Sequence, residues 1–243
     1  MKLYAIGDLH LDGKQNKPMD VFGPLWQDHR ERIFAAWHER VTESDAVLLP
    51  GDFCWAMQFR DAMDDLIAVS ELPGLKLLIR GNHDYWWASP TKMREALPPR
   101  VRIIQNDASD IGPAVIAGTR GWLLRTSPEF GEKDDKIFRR ELIRLEMSLE
   151  AALRLSRKDG AAKPIVLMLH YPPLAENGAE TEFTELIRRY PVQRVVYGHL
   201  HGPSCRMAFE GEREGIRYEL VSADRIGFAP RLIEDFPDPE TEN

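Results

Sequence analysis

Short apolar runs alternate along the chain with longer stretches in which apolar residues return every three or four positions. Residues 3–6, 46–49, 75–79, 101–104, 114–117, 165–169 and 195–197 are such runs, with the length and aliphatic content of buried strands. The spacing of Trp26, Ile33, Trp37 and Val41 predicts an amphipathic helix over 24–41. Met63, Leu66 and Ile67 predict another over 61–70, stopped before Pro73-Gly74. A long helix is expected over 132–158, where Ile137, Leu142, Leu145, Leu149, Ala152 and Leu153 supply the apolar face and Arg and Glu the solvated one. A short helix follows over 181–190, and hairpin-like strands lie within 205–233, around 210–215. The alternation predicts an α/β fold in one domain over residues 1–233, with a loose acidic tail over 234–243.

Polar residues of a few types stand where these strands end. Gly7-Asp8-Leu9-His10, Gly51-Asp52, Gly81-Asn82-His83-Asp84, His170 and Gly198-His199-Leu200-His201 follow five of the apolar runs in order. Five of the seven histidines fall inside these blocks. Such a set suits a pocket for two divalent ions, because two cations roughly 3.5–4 Å apart need a shared anionic ligand to screen their repulsion. Asp52, on a turn directly after a strand, is the residue expected to be shared. Side chains two apart on extended backbone point to one side, so Asp8 with His10, and His199 with His201, are expected to enter one cavity together.

The ordered blocks resemble those of the calcineurin-like metallophosphoesterases, whose motifs read D-x-H, G-D, G-N-H-D/E, a lone His and G-H-x-H. Any one block is a weak signal; the set, running from Asp8 to His201, is a strong one. The resemblance implies a first metal held by Asp8, His10, Asp52 and His201, and a second held by Asp52, Asn82, His170 and His199. His83 would lie beside the substrate phosphate, with Asp84 orienting its ring. The implied reaction is attack on phosphorus by a hydroxide shared between the ions, with His83 serving the leaving oxygen. The implied fold is a four-layer αββα sandwich with two mixed sheets. Mixed nitrogen and oxygen ligands suit Mn, Fe, Zn, Co or Ni, with Mn the expected ion in an assay.

Composition narrows the substrate. A formal net charge of −7 disfavours avid non-specific nucleic-acid binding, although two cations against Asp8 and Asp52 would leave the pocket itself positive. No apolar run is long enough to span a membrane, and the first strand begins too near Met1 for a cleaved leader, so the cytoplasm is the expected location. Cys54 and Cys205 are too few for a disulfide framework and read as small buried hydrophobes rather than thiolate ligands.

Asp52 is followed by Phe53-Cys54-Trp55-Ala56-Met57, lacking the further Asp and Arg of the Ser/Thr protein phosphatases in this family, so a small-molecule or nucleotide-like phosphate ester is the favoured substrate. Trp55 and Tyr85-Trp86-Trp87 either wall the site and stack a flat leaving group or wedge their loops onto the core, the second being preferred. Together with the motif residues, they resemble a poorly characterised bacterial phosphohydrolase subgroup. Arg80, Arg120, Arg125 and Arg225 are candidates for gripping phosphate but read as surface or supporting charges. The competing readings are a non-catalytic scaffold on the same fold and a nuclease. Oligomeric state is not encoded in any pattern here.

Overall fold

Two packed sheets form the centre of the molecule, seen in a computed structural model that describes residues 1–15, 17–158, 160, 162–176 and 178–237. The first sheet has the order β11-β1-β2-β3-β4, built from β1 (Lys2–Ala5), β2 (Ala46–Leu49), β3 (Leu75–Leu78), β4 (Val101–Ile103) and β11 (Arg231–Asp235). The second has the order β5-β6-β7-β8-β10-β9, from β5 (Ala108–Asp110), β6 (Val115–Thr119), β7 (Ile165–Leu169), β8 (Val192–Tyr197), β9 (Gly211–Arg213) and β10 (Ile216–Leu220). Both are mixed: the inner pairings are parallel, while β11, β5 and β9 join antiparallel at the edges.

Strand alternation divides the core into three. Leu3, Ala5, Ala46, Leu48 and Leu77 of the first sheet face Ile116, Val166, Met168 and Val196 of the second. On its other face the first sheet packs Tyr4, Val47 and Leu49 against Ile33 and Trp37 of α1 (His29–Arg40), Leu66 of α2 (Phe59–Ser70) and Met93 of α3 (Pro90–Ala96). The second sheet packs Ile165, Leu167 and Leu169 against Phe138, Leu145 and Leu149 of α4 (Glu132–Ser156) and Phe183 of α5 (Glu182–Ile187). Helix, sheet, sheet and helix are therefore the four layers expected. Strands buried on both faces read as unbroken apolar runs, which is why they stand out in the sequence.

Several expected bounds change. The helix over 24–41 is instead a 3-10 turn (Pro24–Trp26) and α1, which starts at His29 because Asp28 takes a left-handed φ of 50° and turns the chain. The strand over 195–197 starts earlier, at Val192. β11 runs through Glu234 and Asp235, so the acidic stretch starts inside a strand, and Glu234 pairs with Arg194 at 2.7 Å; residues 238–243 lie outside the described set. Neither α3 nor β5 is anticipated by the pattern, though Pro90 at the first helical turn is a start signal.

Candidate metal centre

Each candidate side chain follows the carboxyl end of a parallel strand, where loops from neighbouring strands meet. Asp8 and His10 come from β1, Asp52 from β2, Asn82 and His83 from β3, His170 from β7, and His199 and His201 from β8. The two sheets touch here: Gly7 N donates to Val221 O at 2.7 Å, and His199 N donates to Asp8 Oδ1 at 3.0 Å. The extended backbone expected to pair these residues is absent. Asp8, His10, Asp52 and His199 take positive φ values of 58°, 45°, 52° and 75°, a conformation disfavoured outside glycine and held here by the surrounding loops. Two glycines make room: a Cβ on Gly81 would strike the Asp52 carboxylate, and one on Gly198 the Asp8 carboxylate.

Five of the seven candidate ligands form two groups that share Asp8, among the described residues. Asp8, His10 and His201 make one, with His201 Nε2 at 3.4 Å from both His10 Nε2 and Asp8 Oδ1. Asp8, Asp52 and His170 make the other, joined by Asn82, whose Oδ1 is 2.6 Å from His170 Nε2 and 3.0 Å from His199 Nδ1. One oxygen, Oδ2 of Asp52, lies between the groups, 3.9 Å from His10 Nε2 and 3.5 Å from His170 Nε2.

Partners outside the motifs fix these rings. His170 Nδ1 donates to Pro50 O at 3.0 Å, leaving Nε2 bare. His201 Nδ1 donates to Asp224 Oδ1 at 2.9 Å, and Asp224 Oδ2 also accepts Gly202 N at 2.8 Å. Such outer carboxylates set the tautomer and basicity of a ligand histidine. Asp224 is missed in the sequence because β10, the strand before it, carries Arg217 and Glu219 and makes no unbroken apolar run.

Asp84 departs from its expected role. Its fully buried carboxylate accepts the backbone N–H groups of Asp52 (2.9 Å), Phe53 (2.9 Å) and Gly81 (2.7 Å) and the indole N–H of Trp86 (2.9 Å). Among the described residues no hydrogen bond joins it to the His83 ring, because these four donors claim its oxygens. His83 is half-buried, its ring 4.8 Å from that of Trp55 and 5.8 Å from that of His10.

These donors suit a divalent cation on physical grounds. His170 Nε2, bare, faces Asn82 Oδ1, and two acceptors on one point call for positive charge between them. Burial, then the charge of Asp8, pushes the Asp52 carboxyl up to about 8, since two close buried carboxylates resist ionising together. Burial opposes charge on His201, but Asp8 and Asp224 outweigh it and hold a proton there, up to about 10. Burial pushes Asp8 up, yet His201, through its charge and hydrogen bond, leaves it below the usual carboxylate range. Burial also lowers His10, His170 and, to about 3, His199. A proton on His201 thus stands where a cation would satisfy two imidazoles and Asp8 together.

Around the centre, Trp86 is buried and Trp87 donates to Gln105 Oε1 at 2.6 Å, so both wedge the His83 loop onto the core. Trp55 stacks on His10 at 4.7 Å, and the Lys17 ammonium sits 4.7 Å from its ring centre. Tyr85 alone of the four points largely into solvent. Cys54 is buried and Cys205 half-buried; burial raises both thiols, Cys205 to about 11, and neither belongs to the two ligand groups. Arg125 pairs with Asp135 and Glu182, Arg225 with Glu210 and Arg120 with Glu141, so three of the four candidate arginines already have carboxylate partners. A cleft of about 650 Å³, lined by Lys17, Met19, Trp26 and His29 among others and by none of the candidate ligands, lies against Trp26, whose ring is 5.9 Å from that of His10. No helix is long and apolar enough to cross a membrane, among the described residues.

This order of strands and loops is that of a phosphoesterase: the chain belongs to the calcineurin-like phosphoesterase family, whose model matches residues 1–203. A relative, the Gene 66 protein of Mycobacterium phage D29, is 26% identical over 230 residues, spanning 92% of this chain and 93% of that protein. Phosphopantetheinyl hydrolase from Mycobacterium tuberculosis shares the fold, with a TM-score of 0.52 at 18% identity, covering 100% of this chain and 98% of that one. A protein of unknown function from Aquifex aeolicus, AQ665, aligns with a TM-score of 0.49 at 15% identity over 95% of both chains.

Proposed function

We propose that this chain hydrolyses phosphate esters of small or nucleotide-like molecules at a centre of two divalent ions. The observation that carries the reading is Asp52 Oδ2, placed between His10 Nε2 and His170 Nε2 where one carboxylate oxygen can serve both ligand groups. Asp8, His10, Asp52 and His201 would hold one ion, and Asp52, Asn82, His170 and His199 the other. Bound there, the ions supply Lewis acidity toward phosphoryl oxygens and make a water acidic enough to react near neutral pH. His83 gives a ring proton to the leaving oxygen, and Asp84 acts one step back, fixing the loops that carry Asp52 and His83.

Hydrolysis of p-nitrophenyl phosphate and bis-p-nitrophenyl phosphate by purified protein with Mn tests this, alongside elemental analysis. Turnover of either ester with two ions per chain is expected, and the ratio of the two rates sorts monoesters from diesters. A chain that binds no metal and turns over neither ester is a scaffold.

A further inference from the structure

Beside the His83 loop lies a second and smaller cavity of about 60 Å³ at the ends of β3 and β6. Three guanidinium groups, of Arg80, Arg120 and Arg144, line it with a single carboxylate, Glu141. That leaves two positive charges uncompensated in a chain whose net charge is −7. Glu141 is fully buried and already engaged: Oε1 accepts from Arg120 at 3.3 Å and Arg144 at 2.6 Å, and Oε2 accepts from Thr119 Oγ1 at 2.9 Å. Arg80 has no hydrogen bond or ion pair among the described residues. The Nε–H groups of Arg80 and Arg120 are sealed from solvent and lack an acceptor. Gln105 turns its oxygen to Trp87, so its amide N–H groups are the part left for the cavity. One unpaired guanidinium, two buried Nε–H groups without an acceptor and an excess of two positive charges are the complement of an oxyanion, which planar guanidinium groups grip through paired N–H groups.

We propose that this cavity is a second, metal-independent subsite for a phosphate-like oxyanion, held by Arg80, Arg120 and Arg144. Two sources carry that chemistry: a second phosphoryl or carboxylate group on the substrate, or free inorganic phosphate. Only the first source rests on the phosphoesterase reading. Burial lowers the Arg120 guanidinium below its usual range, as expected where a neutralising anion is needed nearby.

Crystals of the metal-loaded full-length protein, grown without phosphate or sulfate and soaked in tungstate as a phosphate mimic, give the direct test. Tungsten density between Arg80 and Arg120 is expected, and it should vanish in Arg80→Gln and weaken in Arg144→Gln, where Glu141 already holds the native guanidinium. An empty cavity at saturating tungstate, or density unchanged in both variants, overturns the subsite. Kinetics then separate the sources. If the anion belongs to substrate, Arg80→Gln raises KM for a nucleoside 3′,5′-bisphosphate at least tenfold more than for the 5′-monophosphate. If it is free phosphate, millimolar phosphate alters turnover of p-nitrophenyl phosphate in the parent differently from in Arg80→Gln. In protein that turns over an ester, density accompanied by neither effect marks an adventitious ion only and overturns a functional site. A protein that binds tungstate in the cavity yet hydrolyses no ester keeps the subsite and loses the phosphoesterase reading.

Discussion

Asp84 Oδ2 accepts the backbone N–H of Asp52 at 2.9 Å, so a residue of one motif sets the position of a ligand in another. The same carboxylate holds the N–H groups of Phe53 and Gly81, tying the loop after β2 to the loop after β3. Asp84→Asn replaces one acceptor oxygen by a donor facing these N–H groups. Unfolding in urea should show a loss of about 1.5–3 kcal/mol, the range for hydrogen bonds to a charged group. Bound Mn per chain should fall with it. An unchanged midpoint and full metal content would remove Asp84 from this role.

His83 contributes no atom to either ligand group. His83→Ala should keep its metal content by elemental analysis while turnover drops about 10²- to 10⁴-fold, the usual weight of a general acid. Turnover equal to the parent's would exclude the ring from proton transfer.

Among the described residues Asp224 reaches the centre through His201 Nδ1 and the N–H of Gly202. Asp224→Asn should weaken Mn binding about 10- to 100-fold in a titration, as loss of an outer carboxylate partner does. The loss in turnover should be largely recovered at saturating Mn, which separates it from His83→Ala.

Gly198→Ala places a Cβ against the Asp8 carboxylate. Overpacking at a tight site costs about 1–3 kcal/mol, and the cheapest relief is to push Asp8 aside. Loss of bound metal should therefore accompany a lower thermal midpoint. Gly202→Ala makes a control, since nothing lies within 4 Å of its added Cβ, although its φ of 50° still strains it.

Much of this centre is legible in the primary structure because strands buried on both faces leave unbroken apolar runs, and the polar residues that follow them stand out by contrast. Asp8, Asp52, Asn82, His170, His199 and His201 all carry that signature. What escapes is geometry decided by other parts of the chain. The left-handed turns at Asp8 and His10 depend on loop contacts such as His10 N donating to Asp52 O, which no local pattern encodes. Asp84 reads as a partner of its neighbour His83, whereas its donors come from 31 and 32 residues away as well as from Gly81 and Trp86. The break at Asp28 is hidden because Trp26, Ile33 and Trp37 are all buried, so helical spacing continues across a turn that is not helical.

The candidate ligands are drawn from both sheets, Asp8, His10, Asp52 and Asn82 from the first and His170, His199 and His201 from the second. An ion held by both would fasten the seam between the two halves, and its binding free energy would be felt by the whole molecule as one cooperative unit. At a concentration a hundred times its dissociation constant, one ion adds about 2.7 kcal/mol. For a domain of this size that is a fall of roughly 5–10 °C in Tm on chelation. Calorimetry with EDTA should show the entire transition moving down together, with no half of the protein left behind at the original temperature.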